Sequence, residues 1–107
     1  MRYYSRMCSL ILLLTLVACS SDNHNHPNNI TGKQLFEAHC VACHTPTGTG
    51  LLLLGVPSNV DSKLSYSQII NKIRHGQEPN SKMPIFKSMP EQEAKKIVNY
   101  LRQLARQ

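Results

Sequence analysis

Cys40, Cys43 and His44 stand together in the run CVACH, residues 40–44. Two cysteines at this spacing can form a redox disulfide, supply half of a zinc site, or anchor a haem. A thioredoxin-type pair opens a helix inside a βαβ pattern, and no strand pattern surrounds this pair. A structural zinc site needs four ligands, commonly from two pairs; here there is one cysteine pair, with His39 and His44 beside it rather than at a distance. Haem uses the spacing differently. The two thiols add across its two vinyl groups to form thioethers, and the next residue, His44, is placed to coordinate the iron from one face. Cys-x-x-Cys-His is the spacing of c-type haem attachment.

The sixth position of such an iron sets its function. A strong ligand, often Met, suits electron transfer; an open or weakly held position suits a sensor or a peroxidase. Met83, in NSKMPIF, lies in a stretch of low helical tendency whose sulfur could cross the haem face. Met89, in KSMPE, lies at a helix start, where an apolar staple residue is common. Met83 is therefore the expected ligand and Met89 the alternative.

The chain has four cysteines. Its first residues carry Arg2 and Arg6, no acid, and an apolar run from Leu10 to Ala18. That run is short of the roughly 20 residues a membrane span needs and reads as a signal peptide. Its end, LVAC at 16–19, resembles a bacterial lipoprotein signal. The resemblance implies cleavage before Cys19 and acylation of its thiol, and two or more acyl chains anchor stably. Cys8 leaves with residues 1–18, and Cys19 takes lipid. Cys40 and Cys43 remain, in an oxidising compartment where loose thiols are not expected. Ser20 after Cys19, rather than Asp, favours the outer membrane by the enterobacterial sorting pattern, with the protein on the periplasmic side.

Residues 19–29 comprise the lipid site and a polar, Asn-rich stretch that reads as a flexible tether; His24 and His26 within it are a pair that could bind a metal. Residues 30–107 form one domain of 78 residues, near the lower limit for a self-sufficient core. An apolar cofactor inside the fold would relieve that limit. Thr31 with Gln34 and Ser65 with Gln68 have capping-box spacing. The first predicted helix runs into Cys40 with Leu35 and Phe36 inward. The second carries Ile69, Ile70 and Ile73 at helical period and stops at Gly76. A third starts at Ser88, with Glu91 closing a box and Pro90 in the first turn. Ala94, Ile97, Val98, Leu101 and Leu104 form its apolar face. No stretch alternates as a strand does, so the domain reads as all-α.

GKQLFEAHCVACH, IINKIRHGQEPNSKMPIF and EAKKIVNYLRQL, in that order, resemble the class I monohaem cytochrome c family in its small bacterial form. The resemblance spans essentially all of residues 30–107. It implies three main helices and loops wrapped around one covalent haem c, thioethers at Cys40 and Cys43, and His44 and Met83 as axial iron ligands. It also implies electron transfer, and a first helix crossing the last with Gly32 or Phe36 near Tyr100. The family often has Gly-Pro-x-Leu after the haem motif, its Pro carbonyl accepting a hydrogen bond from the iron-bound His. Here the segment is TPTGTGLLLLGVPSNV, where Pro57 or a neighbouring carbonyl could serve and Leu51 to Leu54 are expected to line the haem pocket.

Loss of Arg2 and Arg6 with residues 1–18 takes the net charge from +6 to +4. Lys33, Lys72, Lys82 and Lys87 could ring the haem edge and steer an acidic redox partner, such as a terminal oxidase, reductase or dehydrogenase; equally, each could be an ordinary solvated lysine. An exported chain with 6% aromatic residues is a poor candidate for nucleic-acid binding. The expectation is a monomeric, non-enzymatic electron carrier. The alternatives are a haem sensor or peroxidase-like protein with a labile sixth site, and a haemless metal-binding or thiol redox lipoprotein.

Overall fold

A computed structural model describes residues 24–76, 79 and 81–107. The expected signal peptide, residues 1–18, and the lipid site Cys19 lie outside the described residues. The described chain is helical: α1 spans Gly32–His39, α2 Val41–His44, a 3-10 turn Leu52–Leu54, α3 Tyr66–His75 and α4 Glu91–Leu104. Extended pairing among the described residues is limited to one bridge between Leu51 and Val56.

Two of the helices start as their sequences dictate. Thr31 and Gln34 close a capping box at α1, and Ser65 and Gln68 close another at α3. Each satisfies backbone N–H groups that a helix start leaves unpaired. α3 stops at Gly76, whose φ of 73° lies in the region glycine adopts without steric cost. The third start differs from expectation. The helix opens at Glu91 with Pro90 as its N-cap, two residues after the expected start at Ser88, and the Pro90 cap itself carries no side-chain bond. A proline disfavours helical backbone in the residue before it, so Met89 cannot join a first turn begun at Ser88. Glu91 instead meets Lys95 at 2.7 Å and Arg74 at 3.8 Å.

α4 lies against both α1 and α3. Leu35 and Phe36 from α1, Ile73 from α3, and Ala94, Ile97, Val98 and Leu101 from α4 form the core, joined by Met89. Leu104 is half-buried at its margin. The α1–α4 contact is close because Gly32 has no side chain: a Cβ there would lie 2.1 Å from the Lys96 carbonyl oxygen. The Phe36 and Tyr100 rings then sit 5.6 Å apart, tilted by 55°. Both contacts expected near Tyr100 are present.

The described part of the expected tether touches this domain. Lys96 Nζ donates to the carbonyls of Ile30 at 2.8 Å and Asn28 at 3.3 Å.

Candidate functional site

α1 delivers Cys40. Its N–H still donates to the Phe36 carbonyl at 2.9 Å, so Cys40 closes α1 and precedes α2. Its carbonyl accepts from Cys43 and His44 at 3.2 and 2.8 Å. One helical turn therefore carries CVACH, with Cys40 half-buried, Cys43 exposed and His44 buried. Burial, then the neighbouring Cys43, pushes the Cys40 thiol up to about 12.

His44 is the buried polar residue of the described chain, and its Nδ1 has no hydrogen-bond partner. Burial holds the imidazole below its usual range, with Lys72 adding to the depression; the Pro57 carbonyl opposes both. That carbonyl faces the ring without bringing Nδ1 to hydrogen-bond geometry.

Gly50 sets Pro57 in this place, a role the sequence reading did not assign. Its N–H donates to the His44 carbonyl at 3.1 Å, and its φ is +74°. A Cβ on it would lie 2.5 Å from the carbonyl oxygens of both Val56 and Pro57. The glycine-rich TGTG was the available signal. Thr45, directly after His44, also has positive φ, 65°, a conformation uncommon outside glycine.

Of the two candidate methionines, Met83 is half-buried in the connection between α3 and α4, and Met89 is 1% exposed within the core. The connection is tied at its far end. Phe86 N–H donates to the Ile73 carbonyl at 2.9 Å, and Arg74 Nε to the Met89 carbonyl at 3.0 Å. Leu52, Leu53 and Leu54, expected along a pocket wall, face out of the protein core at 86, 100 and 73% exposure. The Leu51–Val56 bridge and the left-handed Gly55 fold this run into a tight outward turn. Lys72, half-buried, acts on His44, whereas Lys33, Lys82 and Lys87 are exposed.

These residues fit a covalent haem. Two thiols and a buried imidazole with an unpaired nitrogen lie within one turn. That donor set suits two thioethers and an iron ligand.

Residues 27–101 match the family model described as Cytochrome C oxidase, cbb3-type, subunit III. In three dimensions the chain is similar to the c-type cytochrome XoxG of Methylobacterium extorquens AM1, with a TM-score of 0.59 and 31% sequence identity. The likeness covers 69% of this chain and 48% of that one, so the chain spans about half the length of XoxG.

Proposed function

Because the chain belongs to the class I monohaem cytochrome c family, with one covalently bound haem c, we propose that it is a membrane-tethered periplasmic protein carrying single electrons between respiratory redox partners. When bound, the haem supplies one-electron iron chemistry. Cys40 and Cys43 would hold it through thioethers in either oxidation state, and His44 and Met83 would ligate its iron. The observation that carries this ligand set is the contrast between the methionines: Met89 is locked in the core, and Met83 stands at its margin in a loop.

The residues then have distinct tasks. α1 and α2 fix the thiols and His44 relative to the core. The Pro57 carbonyl, which faces the His44 ring, is the group placed to accept from it, as carbonyls near ligating histidines do. A Met sulfur favours ferrous iron and raises the potential within the ~0.8 V that axial ligands span. Lys72 faces the site, and the exposed Lys33, Lys82 and Lys87 suit an acidic partner. Partners of this chemistry include a terminal oxidase, a reductase or a dehydrogenase. The acyl chains on Cys19 hold the carrier at the membrane, with the outer membrane favoured by Ser20.

Visible and near-infrared spectra of the mature holoprotein test this reading. The expected wild type is low-spin in both oxidation states, with a Met-to-ferric-iron charge-transfer band that Met83→Ala abolishes. A high-spin wild type that binds carbon monoxide freely would replace the carrier with a sensor or peroxidase. A colourless product after expression with the haem maturation machinery would remove haem from CVACH altogether.

A further inference from the structure

His24, His26 and His39 converge although the first and last are 15 positions apart in the chain. One ligand nitrogen from each lies within 4.8 Å of the others. The Nε2 atoms of His26 and His39 are 2.9 Å apart, and the His24 and His39 ring centroids 4.7 Å apart. The His24 side chain is 4% exposed, and its Nδ1 meets the Glu93 carboxylate at 3.2 Å. Phe86 presents its ring to His24 and His39 at 6.1 and 5.8 Å, giving the cluster one apolar wall.

We propose that His24, His26, and His39 form a binding site for one divalent first-row transition cation of the zinc class, with Glu93 as the positioning residue. The donor chemistry supports this, because imidazole is a preferred ligand for zinc, copper and nickel ions. The geometry supports it too. Zn–N bonds of 2.0–2.1 Å at tetrahedral angles put ligand nitrogens about 3.3 Å apart. The His26–His39 separation of 2.9 Å lies close to that value, and the three ligand nitrogens all lie within 4.8 Å of one another. Glu93 on Nδ1 of His24 fixes the tautomer in which Nε2 ligates, the arrangement of a carboxylate–histidine–metal triad. The contact between the His26 and His39 ring nitrogens gives way to ligation when the cation enters. Three protein ligands leave a fourth position for water.

The site would have a mechanical consequence. His24 and His26 come from the segment that leads from Cys19, His39 from the end of α1, and Glu93 from α4. A bound cation would clasp that segment to the domain directly before Cys40.

The full chain, haem-loaded and in detergent, is titrated with Zn2+ by calorimetry, and its zinc-edge X-ray absorption is recorded. The site predicts one zinc per haem, with imidazole nitrogens at about 2.0 Å. His24→Ala and His26→Ala should each weaken binding at least tenfold, and Glu93→Gln, which keeps the shape of the side chain, by about 10–100-fold. All three leave the haem motif intact, so the visible spectrum of each reports that the fold has formed. No zinc above the buffer's own, or zinc held as tightly by the His24→Ala/His26→Ala chain as by wild type, would overturn the proposal. The three rings would then be a hydrogen-bonded packing cluster only.

Discussion

Two methionines six residues apart, each followed by proline, have opposite environments. Met89 packs among Leu35, Phe36 and the α4 face, where its flexible thioether fills core volume. Truncating it leaves a cavity and removes buried apolar surface. Met89→Ala should therefore cost about 2–5 kcal/mol in denaturant unfolding of the ferric holoprotein, with the charge-transfer band retained. Loss of that band would instead identify Met89 as the iron ligand. The contrast with Met83→Ala makes the ligand assignment a two-way comparison. His44 shows the other residue-scale effect. Its burial favours the neutral ring, the form in which imidazole ligates a metal.

At the scale of elements, the contact between α1 and α4 is the joint that orients CVACH. It depends on Gly32, which lets the α4 backbone approach to a distance that no Cβ tolerates. Gly32→Ala must push the helices apart or bend one of them. Overpacking of this kind costs about 1–3 kcal/mol. A fall in the guanidinium midpoint of the holoprotein with an unchanged slope would show it. An unshifted midpoint would mean that the joint yields without strain. α4 itself lacks a side-chain cap. Its start is held by Arg74, which ties α3 to the Met89 carbonyl, and by Glu91 and Glu93 in its first turn, where acidic groups oppose the helix dipole favourably.

At the scale of the molecule, the core among the described residues is one cluster of eight buried apolar residues, small for a domain near the lower size limit. The covalent haem adds a large apolar body to it, so folding and haem attachment are expected to be coupled. The net charge and the proposed anchor at Cys19 belong to this scale as well. Cys19→Ser should move the haem-containing chain from the membrane fraction to the soluble periplasmic fraction, since no acyl chain can then be attached. Persistence in the membrane fraction of a Cys19→Ser chain from which residues 1–18 have been cleaved would reject Cys19 as the anchor. Stopped-flow oxidation by an acidic partner should slow with ionic strength if the exposed lysines steer it.

What the sequence determined by itself is what local chemistry decides. Cys-x-x-Cys-His has few uses, and the lack of a second cysteine pair or a strand pattern weighed against the zinc and thioredoxin-type ones. Thr31–Gln34 and Ser65–Gln68 closed as their spacing implied, because a capping box involves a single turn. The α4 stripe from Ala94 to Leu101 was buried, because its period matches the helix. The α4 start fell at Glu91 rather than Ser88, because Pro90 disfavours helical backbone at Met89. The rest was decided by parts of the chain distant in sequence. Which methionine enters the core depends on how α1, α3 and α4 meet. The placement of Pro57 against His44 depends on the turn that Gly50 permits, and the outward leucines on the Leu51–Val56 bridge and Gly55. His24 reaches Glu93 across 69 residues. Such proximities arise only when helices pack, so no window of sequence contains them.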